Sequence, residues 1–301
     1  MKHKFSVVTP AYNRGYIIGQ LYESLCNQLY TDFEWLIIDD GSTDNTEKLI
    51  QDFQKQEHPF EIRYVFQKNS GKPSALNKAL DLAQGKYFFI VDSDDKLTPD
   101  AMTLMDKWTE EIDADGKFVG VGACRGYSET EYMKGVEPTV NSNGYVDATN
   151  LERKKYNLDA DMCEAYKTEI LKKYPFYVVP GEKFAPEQIS INKMALDGYF
   201  VGWHSKIIYL CKYLEDGLTK NSFTLEKKNP LGYAEMYNQA LRYPGNSIKQ
   251  KLFLSCQFTA LALYGKKKSY LKNSNNKVCT FITYPAGYFL SKRREKQFSQ
   301  S

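Results

Sequence analysis

Asp92-Ser93-Asp94-Asp95 packs three carboxylates into four consecutive residues. Carboxylates that close repel one another unless something cationic sits among them. Mg2+ or Mn2+ fits, because these hard ions prefer oxygen and bind through one or two carboxylates plus substrate phosphates. A solvated acidic turn capping a helix near Pro99 would use the same residues without a ligand. Three further clusters are rich in polar chemistry: Thr9-Pro10-Ala11-Tyr12-Asn13-Arg14, Asp39-Asp40-Gly41-Ser42 and Asn69-Ser70-Gly71-Lys72. The second can be a tight turn with a helix cap. In the third, a lysine beside a helix start can hold a diphosphate, since backbone N–H groups and a fixed cation both favour anions there, or it can be an ordinary surface lysine.

What must position these clusters is a series of strands. β-branched and aromatic runs occur at Phe5–Thr9, Phe33–Asp39, Ile62–Phe66 and Lys86–Val91, spaced close to the roughly 30 residues of a βαβ unit. Runs apolar on both faces suit a parallel sheet covered by helices, and in an open sheet of that kind ligands bind beyond the carboxyl ends of the strands. All four clusters stand at such ends. Helix starts are marked by Asp44 with Glu47 as a capping box, by Pro73 in a first turn, and by Thr98-Pro99-Asp100 as N-cap, N1 proline and acid. Beyond residue 110 the pattern predicts strands at Phe118–Ala123 and Phe200–Leu210 and a helix from Glu187 to about Leu196. Helices are predicted again at about 231–243 and 246–265, and a final segment at Lys277–Lys296 is apolar first and basic last.

In their order, the motifs resemble family 2 glycosyltransferases with the nucleotide-diphospho-sugar (GT-A) fold, of the bacterial surface-polysaccharide type. The matching pieces are Val7–Asn13, Ile37–Asp44, Asn69–Asn77, Ala83–Tyr87 and Asp92–Asp95. The resemblance implies an α/β fold: a mostly parallel, Rossmann-like central sheet flanked by helices, with a C-terminal helical extension. It implies a catalytic domain over 1–225, divided into a nucleotide-binding half (1–110) and an acceptor half (111–225), followed by 226–301 with a basic tail. Thr9, Ala11, Tyr12 and Asn13 or Arg14 then line the nucleotide pocket, Asp39 receives the base, and Lys72 lies near the nucleotide. Asp92 faces the ribose side, with Ser93 also among the donor-binding residues. Asp94 holds Mn2+ or Mg2+ on the diphosphate, and Asp95 is the alternate ligand. The catalytic base of such enzymes sits in an acidic pair at a helix start; here the corresponding run ends in Glu187-Gln188, a Glu-Gln pair where relatives often have Glu-Asp. Glu187 is therefore the expected base, with Glu182 and Asp197 behind it, and a helix-dipole acid without chemistry is the alternative. Glu215 or Asp216 could touch metal or acceptor. Trp203-His204 could stack on a sugar or bind phosphate, or simply pack as part of a strand.

The expected reaction is inverting, metal-dependent transfer of a sugar from a nucleotide-diphosphate donor, a UDP-sugar, to a saccharide acceptor carried on lipid. A nucleotidyltransferase acting on a sugar phosphate, or a non-catalytic saccharide- or membrane-binding module, are the alternative readings. The Gln-x-x-Arg-Trp motif of processive synthases is absent.

Composition agrees with a globular enzyme. The 301 residues are 42% hydrophobic and 26% charged, with a net charge of +3, a balance that argues against a nucleic-acid binder. Charge is unevenly placed: Lys266 to Ser301 holds nine Lys/Arg and one acid, a net of +8, and the rest of the chain is net −5. Six scattered cysteines lack metal spacing and suit buried thiols in a reducing compartment. The opening MKHKFSVVTPAYN has no signal-peptide core, and the 13-residue stretch Val278–Leu290 is too short to span a bilayer. The expected location is cytoplasmic, peripheral on the inner face of the cell membrane. Phe281, Ile282, Tyr284, Tyr288, Phe289 and Leu290 ahead of Lys292-Arg293-Arg294 suit an anionic membrane surface.

Overall fold

A computed structural model of the chain describes residues 1–211 and 222–299. Its elements run β1 (His3–Ala11), α1 (Gly19–Cys26), β2 (Phe33–Asp39), α2 (Thr46–Gln54), β3 (Glu61–Phe66), α3 (Lys72–Leu82), β4 (Gly85–Ile90), β5 (Lys96–Leu97), α4 (Ala101–Ile112), β6 (Phe118–Gly126), β7 (Tyr145–Ala148), β8 (Met162–Lys167), α5 (Thr168–Leu171), α6 (Gln188–Leu196) and β9 (Phe200–Leu210). The C-terminal part is helical: α7 (Ser222–Lys228), α8 (Pro230–Ala240), α9 (Ile248–Tyr264), α10 (Lys277–Ile282) and α11 (Tyr284–Ser299).

The strands form one sheet in the order β3-β2-β1-β4-β8-β6-β9-β5, with β7 on β9. Its first half, β3-β2-β1-β4, is parallel throughout. Beyond β4 the sheet is mixed: β8 runs antiparallel between β4 and β6, β6 and β9 are parallel, and β5 and β7 pair antiparallel with β9. The β2 strand is buried at all seven positions, as expected of a strand covered on both faces. Phe5, Trp35, Tyr87 and Phe89 lie in a core with Met102, Met105 and Trp108 of α4.

Two of the predicted helix starts differ in the structure. Asp44 does not form a capping box with Glu47; Asn45 is the N-cap of α2, and Asp44 instead accepts the backbone N–H groups of Thr46 (3.0 Å) and Gly15 (3.0 Å). The carboxylate is thus shared between the first residue of α2 and the loop after β1, and Glu47 does not reciprocate. Likewise α4 begins at Ala101 rather than Pro99, because the Thr98 hydroxyl turns to Asp100 (2.7 Å) instead of capping the helix. The final segment, read as one unit, is two helices separated at Thr283.

Contacts divide the chain into two compact units, one of Met1–Pro175 with Ile191–Lys212 and one of Phe176–Ser190 with Tyr213–Ser301. The sheet belongs to the first. In the second, α8, α9, α10 and α11 pack on one another around Ala234, Phe258, Leu261 and Ala262.

Candidate functional site

The loops that follow β1, β2, β3 and β4 meet at one end of the parallel half-sheet, and polar bonds, several of them from side chain to backbone, tie each to the next. Asn13, in the left-handed region at φ 52°, donates its N–H to Ser42 Oγ (2.8 Å) and accepts the Thr43 N–H (2.8 Å). Asp40 Oδ1 accepts Gln67 Nε2 (2.7 Å) and the Ser70 N–H (2.8 Å), and Oδ2 accepts the Gly71 N–H (2.7 Å). Both loops need glycine where the backbone turns: Gly41 and Gly71 have φ of 84° and 93°. From the start of α3, Lys72 Nζ reaches Asp92 Oδ1 at 2.7 Å.

Asp92 is the centre of a half-buried ionic cluster. Besides Lys72, Arg125 Nη1 on β6 lies 3.4 Å from Asp92 Oδ2 and 3.7 Å from Asp95 Oδ2. The Arg125 guanidinium sits over the Tyr209 ring of β9 at 4.1 Å, and the Tyr209 hydroxyl accepts the Asp92 N–H at 2.9 Å. Burial alone would raise the Asp92 carboxyl, but the Lys72 and Arg125 charges overcome it and hold it well below the usual carboxylate range. Asp95 has the opposite fate. Burial, and then the Asp92 charge, push it up to about 7 against the pull of Arg125 and a Tyr209 hydrogen bond. Asp94 is also raised, by burial first and Asp92 second, with Arg14 and Lys72 opposing; its backbone carbonyl accepts Gln20 Nε2.

The residues expected to bind the donor divide into groups. Asp92, Asp94, Asp95 and Lys72 are brought together. Ser93 is buried beside them and Ala11 is buried at the end of β1. Tyr12 is nearly half exposed, and Asn13 and Arg14 are half-buried in the same loop. Asp39 is fully buried, its oxygens accepting the Ser42 N–H (2.7 Å) and the Tyr64 hydroxyl (2.8 Å). Thr9 is fully buried, and its hydroxyl accepts the Trp35 indole N–H at 2.9 Å. The alternation of β1 points that side chain into the core.

Among the described residues, no three His, Cys, Asp or Glu side chains form a ready-made ligand cage. The donor set fits a divalent cation of the kind completed by substrate: all-oxygen carboxylates, two of them disfavoured as anions by burial and by a like neighbour.

Glu187, the expected base, is half-buried at the residue before α6, in the second unit. The two acids held behind it have structural partners. Glu182 accepts the Leu231 and Gly232 N–H groups, both at 2.8 Å, and so closes the N-terminus of α8. Asp197 accepts the Tyr174 hydroxyl at 2.7 Å. Trp203 and His204 are a packed strand pair: the Trp203 indole donates to the Ala148 carbonyl (3.1 Å), and His204 stacks on Trp108 with ring centroids 4.0 Å apart. Glu215 and Asp216 lie outside the described residues.

Arg125 and Tyr209 are the members of the cluster that sequence reasoning passed over. The signal was present: an arginine inside the otherwise small and apolar run Phe118–Gly126 needs a buried counter-charge.

Comparison with known proteins places this geometry. The family model described as glycosyl transferase family 2 matches residues 6–175. The chain is similar to glycosyltransferase GlyG of Streptococcus pneumoniae, 27% identical over 236 residues, which are 75% of this chain and 76% of that protein. It spans only 16 to 45% of the length of three other curated relatives that it matches. Among solved structures, S. aureus TarS 1-349 in complex with UDP-GlcNAc superposes with a TM-score of 0.62 at 17% identity, covering 99% of this chain and 92% of that one. The mannosyltransferase PcManGT from Pyrobaculum calidifontis, in complex with GDP-Man and Mn2+, gives 0.54 at 16% identity, covering 96% and 74%. At these identities the structural likeness speaks for the fold, which is GT-A.

Proposed function

The chain belongs to glycosyl transferase family 2, and from that premise we propose an inverting, metal-dependent transfer of one sugar from a UDP-sugar to a saccharide acceptor carried on lipid at an anionic membrane surface. The observation that carries the donor side is the cluster of Asp92, Asp94 and Asp95 with Lys72 and Arg125 at the carboxyl ends of the strands. That TarS is solved with UDP-GlcNAc supports a UDP donor, and PcManGT with Mn2+ supports a metal.

In this reading residues 1–110 bind the nucleotide, 111–225 the acceptor, and 226–301 form the helical extension. Tyr12, Asn13 and Arg14 border the nucleotide, Asp39 receives the base, and Asp92 and Ser93 lie toward the ribose. Asp94, with Asp95 as the alternate, would hold Mn2+ or Mg2+. Bound there, the cation supplies positive charge where the departing diphosphate gains negative charge. Lys72 and Arg125 keep Asp92 ionised and fixed, so the loop does not have to reorganise when charge develops. Glu187 takes the proton of the attacking hydroxyl onto its carboxylate.

Thermal stabilisation by UDP, GDP, dTDP and CDP, each with and without Mn2+, tests the donor side. A ligand that binds only the folded state adds about 2.7 kcal/mol at a hundredfold excess over its dissociation constant. The expected result is a manganese-dependent shift with UDP that is lost in Asp94→Asn. An equal shift in that variant would remove Asp94 from the metal site, and a shift with another nucleotide alone would reassign the donor.

A further inference from the structure

The helices α10 and α11 are each two-faced. In α11, Gly287, Ser291 and Phe298 are buried and Arg294 is half-buried, a spacing of four, three and four that defines one helical stripe. That stripe rests on α9: a Cβ at Gly287 would stand 2.6 Å from the Thr259 side chain, and Arg294 reaches Gln257 at 2.8 Å. In α10 the buried residues are Cys279 and Thr280. The remaining surface of both helices is apolar and aromatic. Val278, Phe281, Ile282 and Phe289 are 69, 71, 62 and 71% exposed, and Tyr284 and Tyr288 are more than 40% exposed. Large apolar side chains so concentrated on 12 residues of sequence are unlike the scattered exposure of ordinary surfaces.

The charges beside this surface are nearly all of one sign. Lys292, Arg293 and Lys296 are exposed on α11, and Lys277 is exposed at the start of α10. The acid nearby, Glu295, is paired with Lys292 at 2.8 Å, and Lys292 also lies 5.8 Å over the Tyr288 ring. A second copy of the chain docked face to face would bring like charges together, because a two-fold interface opposes each patch to itself. An anionic surface with an apolar interior satisfies both halves of the pattern. Among the described residues, no helix is long and apolar enough to cross a membrane, so such a segment lies in the interface plane.

We propose that the outer face of α10 and α11 docks on an anionic lipid bilayer. Val278, Phe281, Ile282 and Phe289 enter the acyl boundary, Tyr284 and Tyr288 sit at headgroup level, and Lys292, Arg293 and Lys296 bind the lipid phosphates. The proposal deepens the membrane reading above and rests on it, but is independent of donor chemistry.

Flotation of the full chain with vesicles tests it, using phosphatidylcholine alone and equal parts of phosphatidylcholine and phosphatidylglycerol. The wild type is expected to float with the anionic vesicles and to be released by salt. Phe281→Ser with Phe289→Ser should lower partitioning by on the order of tenfold or more. Lys292→Gln with Arg293→Gln should lower it by a similar factor on anionic vesicles only. Both replacements are at exposed side chains, so melting temperature and the nucleotide-dependent thermal shift should stay at wild-type values. Failure of the wild type to float, or undiminished flotation of the phenylalanine variant, would overturn the proposal. So would a wild-type dimer in light scattering that the phenylalanine variant abolishes while neither binds vesicles. Flotation that persists in a protein showing no shift with any nucleotide would refute the donor reading and leave the docking surface standing.

Discussion

A histidine next to a tryptophan on a strand invites a ligand role, and pH gives a way to decide. His204 is only 6% exposed, stacked on Trp108 at 4.0 Å with Tyr145 at 5.6 Å. Burial, helped by the Lys107 charge, pushes its imidazole down to about 3. In the unfolded chain the same group titrates near its ordinary value of about 6.5. The folded pKa is therefore the lower one: above about 6.5 both states are neutral and stability is unaffected, whereas below it only the unfolded state takes up the proton. Stability falls by about 1.4 kcal/mol per pH unit in that window, which gives a loss of about 2 kcal/mol between about pH 7 and about pH 5. Carboxylates titrate nearby, so the comparison is with His204→Phe, which keeps a ring against Trp108 and removes the proton site. Urea unfolding followed by tryptophan fluorescence should show the wild type losing about 2 kcal/mol more than the variant over that interval. Equal pH dependence in the two proteins would refute the argument. A large loss of sugar transfer in His204→Phe would return the residue to the site.

Three other substitutions separate structural acids from reacting ones. Glu34 is fully buried and takes the Ser6 hydroxyl (2.5 Å), the Gln84 N–H (2.6 Å) and Arg63; Glu34→Ala should cost about 3–5 kcal/mol in urea unfolding by leaving Arg63 without its counter-charge, and an unchanged midpoint would contradict that. Glu182→Gln removes a charge at the start of α8 and should cost about 1 kcal/mol in a thermal melt while turnover is kept. Glu187→Gln should do the reverse, holding donor affinity and losing about 10²–10⁴-fold in turnover; exchange of those two phenotypes would make Glu182 the base.

The parallel half of the fold was legible because each β-strand there is a mostly β-branched and aromatic run, broken by single polar residues such as Ser6, Glu34, Arg63 and Lys86 and closed by turn residues, and α3 opens on its proline. The four strand-end clusters follow from that register, so their meeting at one end of the parallel half-sheet could be expected in advance. The antiparallel insertion was not legible. The β8 run Met162–Lys167 alternates weakly and carries Glu164 and Lys167, and its place between β4 and β6 depends on partners far apart in sequence. Arg125 stands out as a charge in an apolar run but does not reveal which acid it meets, and Tyr209 is ordinary in its own segment; their partner emerges only when β6 and β9 bring them against Asp92. Glu182 shows the limit in the other direction, since an acid near an expected base is indistinguishable by sequence from one that closes another helix's N-terminus. Thr9 is a milder case, a motif residue whose side chain faces the core.

The linkage among the strand-end loops bears on how substitutions in this site should be read, and Asp40 is the sharpest instance. Its neighbour Asp39 is the expected contact to the base, yet Asp40 has the larger structural task. Its two oxygens receive three donors, Gln67 Nε2 and the backbone N–H groups of Ser70 and Gly71, and so fix the loop from which Lys72 reaches Asp92. An Asn at this position offers one oxygen and one N–H-bearing nitrogen. Whichever way the amide is turned, a donor faces at least one of those donors. Leaving a buried donor unsatisfied costs about 1–3 kcal/mol, and the strain falls on the loop that holds Lys72. Asp40→Asn should therefore melt at lower temperature and bind nucleotide more weakly. Below its melting range, turnover at saturating donor should stay close to wild type, because the residue touches the loop and not the reacting atoms. Asp94→Asn should show the opposite pattern, with intact stability and lost turnover. If Asp40→Asn instead kept its melting temperature and lost turnover at saturation, the carboxylate would have to contact substrate directly, and the loop linkage would not be its role.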